Sequence, residues 1–427
     1  MSDEARVSDS ADIATTLDDY RLRARTWLAE NMERLESPSS PQWSADLTPD
    51  VMAANRARQR RLFDGGYAGI SWPEEYGGQG LPSAYESAFL NEAEDYAMPD
   101  FGALSATTFH ICVPTMLAHG SPDFLHDFIP RVLAGEVLVC QFFSEPSSGS
   151  DLAGARMRAT KDGDHWVLDG QKIWSTLAHL ADWGLCLART NWEVSKHRGL
   201  TWFAVPCTSP GLTIRPIRQI NDTAEFCEDF FDDVVVPDAN RIGAVDDGWS
   251  VTQTMLVLER GAGRPETGLA SSTPGPLAPD LVRLARRVGR LEDPIVRQKL
   301  ARAHTNDFVG RVLTARIGQM GRLGALNPGL AAYVKLFRGT YSPIRARLAV
   351  EIGGGGGMSW DAGDPEGPET SLAYLNGRSS SIAGGTNEMQ RNAVAERALG
   401  LPREPSFDVD KPFSQVLRDA ENWTGKP

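Results

Sequence analysis

The chain has 427 residues, 41% of them hydrophobic, enough to bury a large core and too many for one compact unit, so two or three globular domains are expected. Acidic residues outnumber basic ones by 56 to 43, a formal net charge of -13, and no Lys/Arg run interleaves with aromatics as a nucleic-acid surface requires. The cysteines Cys112, Cys140, Cys186, Cys207 and Cys227 are scattered without a CxxC pair, which excludes a disulfide framework or zinc cluster and fits a reducing, cytoplasmic location.

In chain order, the opening "MSDEARVSDSADIATTLDDY" is acidic and polar, lacking both the apolar core of a signal peptide and the Arg-rich character of a transit peptide. From about Ser10 to Gly135 the periodicity is helical: "LDDYRLRARTWLAENMERL" and "YESAFLNEAEDYA" space apolar residues by threes and fours, with Pro/Gly breaks such as "SWPEEYGGQGLPS". Between about Glu136 and Gly248 the texture becomes short β-type runs, "HWVLDGQKIW", "WGLCLART", "LTWFAVPC", "LTIRPI" and "DFFDDVVVP", separated by turn residues. After Trp249 helical periodicity returns, interrupted by a Pro-, Ser- and Gly-rich stretch from Arg264 to Pro279 that reads as an exposed loop. The order helix, sheet, helix gives an α+β chain with expected domains 1–135, 136–248 and 249–427. No stretch approaches the roughly 20 apolar residues of a membrane span, and no basic amphipathic helix stands out.

Conventional signatures are missing: there is no GxGxxG after a strand, no P-loop, no GxSxG elbow and no HExxH, and the seven histidines do not cluster. Several segments remain that could carry chemistry. "QFFSEPSSGSDLAG" (141–154) places hydroxyls and glycines in a turn beside a β run, where backbone N–H groups and Ser hydroxyls bind a polar ring edge or a phosphate; alone it also reads as an ordinary Ser-rich turn. "WSTLAHLADW" offers Trp174 followed by Ser175 and Thr176, although an isolated Trp is more often core. "GGGGG" at Gly353 to Gly357 reads by itself as a loop.

Taken together, in this order and spacing, the segments from "GGYAGISWPEEYGGQGLP" to "AERALGLPRE" resemble the acyl-CoA dehydrogenase family over nearly the whole chain. The resemblance implies a helical N-terminal domain, a β-barrel-like middle domain and a C-terminal four-helix bundle. It implies FAD as cofactor, an acyl-CoA thioester as substrate, α,β-dehydrogenation to a trans-2-enoyl-CoA, an electron-transfer flavoprotein as acceptor, and a homo-oligomer, dimer or tetramer. It implies that Gln141, Phe143 and Ser144 line the flavin ring and that Ser150 meets the CoA arm. It implies that Trp174 flanks the flavin and that Thr176 bonds near its N5 edge, with Leu177 where the family often has Asn. Gly354 and Gly355 match a glycine loop that approaches the ADP half of FAD from a neighbouring subunit, with Glu351 in place of the usual Gln. Thr386 and Glu388 match positions on the pyrophosphate and adenosine side, and Arg290 is the candidate for the family's pyrophosphate arginine.

The segment "IAGGT" poses the question of the base. Many members of the family carry a catalytic Glu directly before the GT pair, where this chain has Gly384, which cannot accept a proton. A second group, including branched-chain, long-chain and actinobacterial steroid side-chain enzymes, carries the Glu before an Arg on a C-terminal-domain helix; here that pair is Glu259 and Arg260 in "MLVLERGAG". The resemblance thus implies Glu259 as base, Arg260 beside the substrate, and the Gly384 N–H as a donor to the thioester carbonyl. A small residue at 384 also points to a branched, bulky or steroid-derived acyl group. Two other outcomes stay open within the same fold: different flavin chemistry (monooxygenase, oxidase or desulfinase), or a partner subunit of a heteromeric dehydrogenase.

Overall fold

The computed structural model describes residues 16–35, 47–259, 278–323, 325, 329–359, 368–406 and 408–422. The described contacts gather the chain into two compact units, one made of residues up to Phe101 together with Phe128–Glu136, the other of Gly102–Asp127 and the described residues from Val137 onward.

In the first unit, α1 (Leu17–Asn31) and α2 (Pro49–Asp64) each begin behind a threonine whose hydroxyl accepts a first-turn N–H, Thr16 from Asp19 and Thr48 from Val51. Helix α1 buries Tyr20, Ala24 and Leu28, one stripe at helical spacing, and packs on α3 (Ser83–Glu92). Tyr20 meets Tyr85 edge-on at 5.1 Å and Tyr67 stacks on Phe89 at 4.8 Å, so aromatic area supplies much of this core.

The second unit opens with α4 (Ala103–Ala106), a π-helical turn Thr107–Cys112 and α5 (Val113–His119), followed in the chain by α6 (Pro122–Leu133). Its sheet comprises β1 (Val139–Phe142), β2 (Arg158–Asp162), β3 (His165–Thr176), β4 (Trp183–Arg189), β5 (Leu200–Pro206), β6 (Leu212–Ile217), β7 (Phe226–Pro237) and β8 (Arg241–Ile242), in the order β6-β7-β3-β2-β4-β5-β8, with β1 pairing parallel to β4. Strands β4 and β5 are buried almost throughout, which explains their continuous apolar runs. The long antiparallel pair β3 and β7 alternates in burial, and its register breaks between Ile173 and Ser175.

Helix α7 (Gly248–Glu259) leaves the sheet with its first carbonyl, Gly248 O, fixed by the Trp202 indole N–H at 2.9 Å, and packs against α5, β5 and the π turn. Helices α8 (Pro279–Arg287), α9 (Pro294–Arg322) and α10 (Ala331–Gly353) share a core of Leu281, Leu284, Val296, Leu300, Leu348 and Ile352. Then come α11 (Glu369–Asn376), α12 (Asn387–Ala393) and α13 (Phe413–Glu421), the last tied to the sheet side by the Phe413 and Ser414 N–H groups on Val194 and Trp192 carbonyls. The expected loop from Arg264 lies outside the described residues up to Leu277, and Pro279 starts α8. No described helix is long and apolar enough to cross a membrane.

Candidate active site

The "IAGGT" loop is built by two backbone conformations that favour glycine. Gly384 and Gly385 sit at φ +65° and +87°, and Thr386 then caps α12 by accepting the Met389 N–H at 3.2 Å. Buried Gln390 donates to the Gly384 carbonyl at 2.9 Å, and a Cβ at Gly385 would lie 2.6 Å from the same amide nitrogen. From α10, Lys335 Nζ donates to the Ser380 carbonyl at 2.6 Å, and Gly339 O accepts from Ser381 Oγ at 2.7 Å. With the Gly384 carbonyl turned to Gln390, its N–H meets no acceptor among the described residues and is available to an oxygen from outside the chain.

Helix α7 delivers Glu259 to this loop. Met255 is fully buried and Val257 is 51% exposed, so the helix presents one apolar side to the protein and ends with a half-buried Glu259. A Cβ placed on Gly384 would stand 3.5 Å from Glu259 Oε1 and 3.3 Å from Lys335 Cε. The two residues singled out in the sequence for the base question are therefore neighbours, with the Glu259 carboxylate within van der Waals reach of a side chain at 384. Arg260 lies outside the described residues.

The other expected site residues fall in two groups. In the first, Gln141 lies on β1, and its Nε2 is buried with no acceptor among the described residues. Phe143 follows, its ring tilted on Trp202 at 5.2 Å and its carbonyl held by Lys172 Nζ at 3.1 Å, while the Ser144 carbonyl accepts the Ile173 N–H at 2.9 Å. Trp174 sits in the β3 register break at φ +66°, 56% exposed and edge-on to Phe226, and Thr176 ends the strand opposite Phe226. A non-glycine residue in the left-handed region with its indole exposed is an unusual pairing of backbone strain and lost burial. Ser150 is exposed in the turn after β1.

In the second group, Gly354 at φ +56° turns the chain out of α10, and Arg290 donates to the Glu351 and Ile352 carbonyls at 3.2 and 3.1 Å. Arg287, Arg290 and Gly353 to Gly356 line a cavity of about 460 Å³, with open space where a Gly355 side chain would be. Glu351 pairs with Lys299 at 2.7 Å, and Glu388 pairs with Arg391 at 3.2 Å on an exposed face. An orphaned amide donor and an exposed indole in the first group fit the edge and face of a flavin ring, and a glycine turn beside arginines in the second fits a pyrophosphate, so the residues present suit FAD.

Sequence reasoning missed several polar residues here. Lys335 stands in the apolar "LAAYVKLFRG", and Lys172 and Asp229 in β-type runs; a charged residue at a core position was the available signal. Lys172 pairs with Glu145 at 2.8 Å, both buried, beneath the "QFFSEPSSGSDLAG" turn. Next to Trp174, the Ser175 hydroxyl donates to Asp229 Oδ2 at 2.5 Å, while Asp229 Oδ1 is buried without a donor among the described residues.

Burial pushes the Asp229 carboxyl up to about 7, against the opposing hydrogen bond from Ser175. Its folded value thus lies above the unfolded one of roughly 4, so the folded state keeps a proton that the unfolded state releases; stability from this group is full below about pH 4 and is lost as pH rises towards 7. Asp229→Asn is expected to gain melting temperature relative to the parent between pH 5 and pH 8. An equal difference at both pH values in thermal scans would assign the titration elsewhere.

Comparison with known proteins follows the same outline. Family models for the acyl-CoA dehydrogenase N-terminal, middle and C-terminal domains match residues 24–136, 140–234 and 246–399. Acyl-CoA dehydrogenase IpdE1 of Mycobacterium tuberculosis is 36% identical over 392 residues, which span 91% of this chain and 98% of the relative. Acyl-CoA dehydrogenase FadE29 of the same organism is 32% identical over 396 residues, 91% of this chain and 99% of the relative. Among solved structures, the Tcur3481-Tcur3483 steroid ACAD aligns with a TM-score of 0.69 at 26% identity, covering 91% of this chain and 98% of its own. The ChsE4-ChsE5 complex from Mycobacterium tuberculosis aligns at 0.67 and 27%, covering 92% and 100%. The chain belongs to the acyl-CoA dehydrogenase family, FAD-dependent oxidoreductases acting on the CH–CH bond of acyl-CoA thioesters.

Proposed function

We propose that this chain α,β-dehydrogenates a branched, bulky or steroid-derived acyl-CoA to the trans-2-enoyl-CoA, with Glu259 as the base. The observation that carries the reading is the nearness of Glu259 and Gly384: a carboxylate oxygen on α7 stands 3.5 Å from the place of a Cβ at 384, next to a backbone N–H that meets no acceptor among the described residues. Glu259 takes the α-proton, and the Gly384 N–H donates to the thioester carbonyl oxygen, stabilising the enolate character that develops as the proton leaves. Gln390 fixes the orientation of that peptide through its carbonyl. Gln141, Phe143, Ser144, Trp174 and Thr176 would hold the flavin ring, Thr386 and Glu388 together with Gly354 and Gly355 of a neighbouring subunit the remainder of FAD, Ser150 the CoA arm and Arg260 the acyl-CoA substrate. FAD, when bound, supplies the acceptor for the β-hydride.

Similarity to a steroid ACAD of known structure and the absence of a side chain at 384 support a wide acyl group. Acyl-CoAs of straight, branched, aromatic and steroidal type, scored by anaerobic flavin bleaching, test it: the bulky substrates are expected to bleach fastest, and preferential turnover of a straight medium chain overturns it. Rapid oxygen consumption in place of transfer to an electron-transfer flavoprotein would instead assign oxidase or monooxygenase chemistry. A second reading draws support from similarity to the ChsE4-ChsE5 complex: the chain works in a heteromeric assembly rather than a homo-oligomer. A colourless protein when purified alone, regaining FAD with a second chain, distinguishes them.

A further inference from the structure

We propose that Lys335 is a positioning residue for the base: its ammonium keeps the Glu259 carboxylate ionised, and its hydrogen bond to the Ser380 carbonyl holds the loop that presents the Gly384 N–H. The inference rests on the reading of Glu259 as base and adds to it the group that sets the base's working pH.

The geometry is specific. Lys335 Cε and Glu259 Oε1 lie 3.3 and 3.5 Å from one point, the place of a Cβ on Gly384, so the last methylene of the lysine and the carboxylate flank the same small space. The Lys335 ammonium reaches past this point to donate to Ser380 O at 2.6 Å, which anchors the loop to α10. Helix α10 is thus coupled to both halves of the site, the acceptor of the proton and the donor to the carbonyl. Burial lowers the Lys335 pKa from its ordinary value and Arg338, one turn away, adds to this; Glu259 opposes both by favouring the charged lysine. The same attraction acts in reverse and favours the charged carboxylate.

Helix α5 carries His119, which is bonded to Thr254 at 2.8 Å. The π turn carries His110 and Cys112, whose thiol is held protonated by burial with a further push from Glu259, and β5 carries no titratable side chain. On the loop side the neighbours are Lys335, Arg338 and the neutral Gln390. Arg260 follows Glu259 in the chain outside the described residues.

The test separates charge from structure. Lys335→Gln retains a donor for Ser380 O without the charge, Lys335→Met removes both, and Lys335→Arg retains both. Each variant is purified with FAD, and the rate of flavin reduction by acyl-CoA is followed against pH. The acid limb of the profile is expected to move up by about one pH unit in Lys335→Gln and Lys335→Met and to stay in place in Lys335→Arg. Infrared pH titration of the carboxyl band, taken as the difference between each protein and its Glu259→Gln partner, should show the same displacement without turnover. An unmoved limb and band in Lys335→Gln overturn the electrostatic role, and Lys335→Met decides in the same way if the glutamine variant does not fold. Persistent reduction in Glu259→Gln overturns the underlying reading instead, so the two failures are distinguishable.

Discussion

Replacement of Glu259 by glutamine is expected to leave the purified protein yellow while flavin reduction by acyl-CoA falls by about 10²–10⁴-fold, with substrate binding little changed. The substitution preserves shape and removes the ability to accept a proton. It does not touch Gln141, Trp174 or the Gly354 turn, which lie on other elements, so loss of FAD is not the expected route to inactivity. The geometry also predicts a rescue. A Cβ on Gly384 would stand 3.5 Å from the Glu259 carboxylate, so Gly384→Glu in the Glu259→Gln background returns a carboxylate to the same neighbourhood from the other side of the cleft. Recovery should be partial, since a non-glycine residue at φ +65° costs roughly 1–2 kcal/mol. Stopped-flow bleaching of the parent, single and double variants checks both statements; near-parental reduction in Glu259→Gln refutes the assignment of the base.

The largest stability effect is expected at Lys172. Its ammonium is fully buried, 2.8 Å from the buried Glu145 carboxylate and 3.1 Å from the Phe143 carbonyl. Glu145 also accepts the Arg156 and Met157 N–H groups at 2.6 and 2.9 Å. Lys172→Met removes the counter-ion and leaves the carboxylate inside, a change of about 3–5 kcal/mol, and it frees the carbonyl that anchors Phe143. The melting temperature should fall by several degrees, accompanied by weaker FAD retention, because the disturbed turn carries Phe143 and Ser144. Lys172→Met with Glu145→Gln should recover much of the loss, since no uncompensated charge then remains buried. Thermal scans with flavin fluorescence read both quantities, and a single variant as stable as the double would show that the pair is not the source of stability.

How much of this was legible beforehand is best seen at particular residues. The apolar side of α7 is written in "VTQTMLVLE", and Met255 is indeed buried, because helical periodicity records which side faces protein. Thr386 ahead of a helix encodes its own cap. Gly384 could be read as a missing base, and the Glu-Arg pair as its replacement, through family resemblance rather than through local pattern.

By itself, then, the sequence determined the succession of helix, sheet and helix, the family, and two positions at which the base could stand. The succession follows from side-chain periods and turn chemistry, which act over a few residues, while the family and the base positions follow from resemblance of the segments in their order along the chain. Only the tertiary structure decided that Glu259 and Gly384 are neighbours, that Lys335 lies beside them, and that Lys172 and Glu145, the latter within a turn that reads as Ser-rich, are buried partners. The physical reason is that a charge meets its partner through packing between elements distant in the chain, and the cost of burying it is compensated by groups that no local window contains.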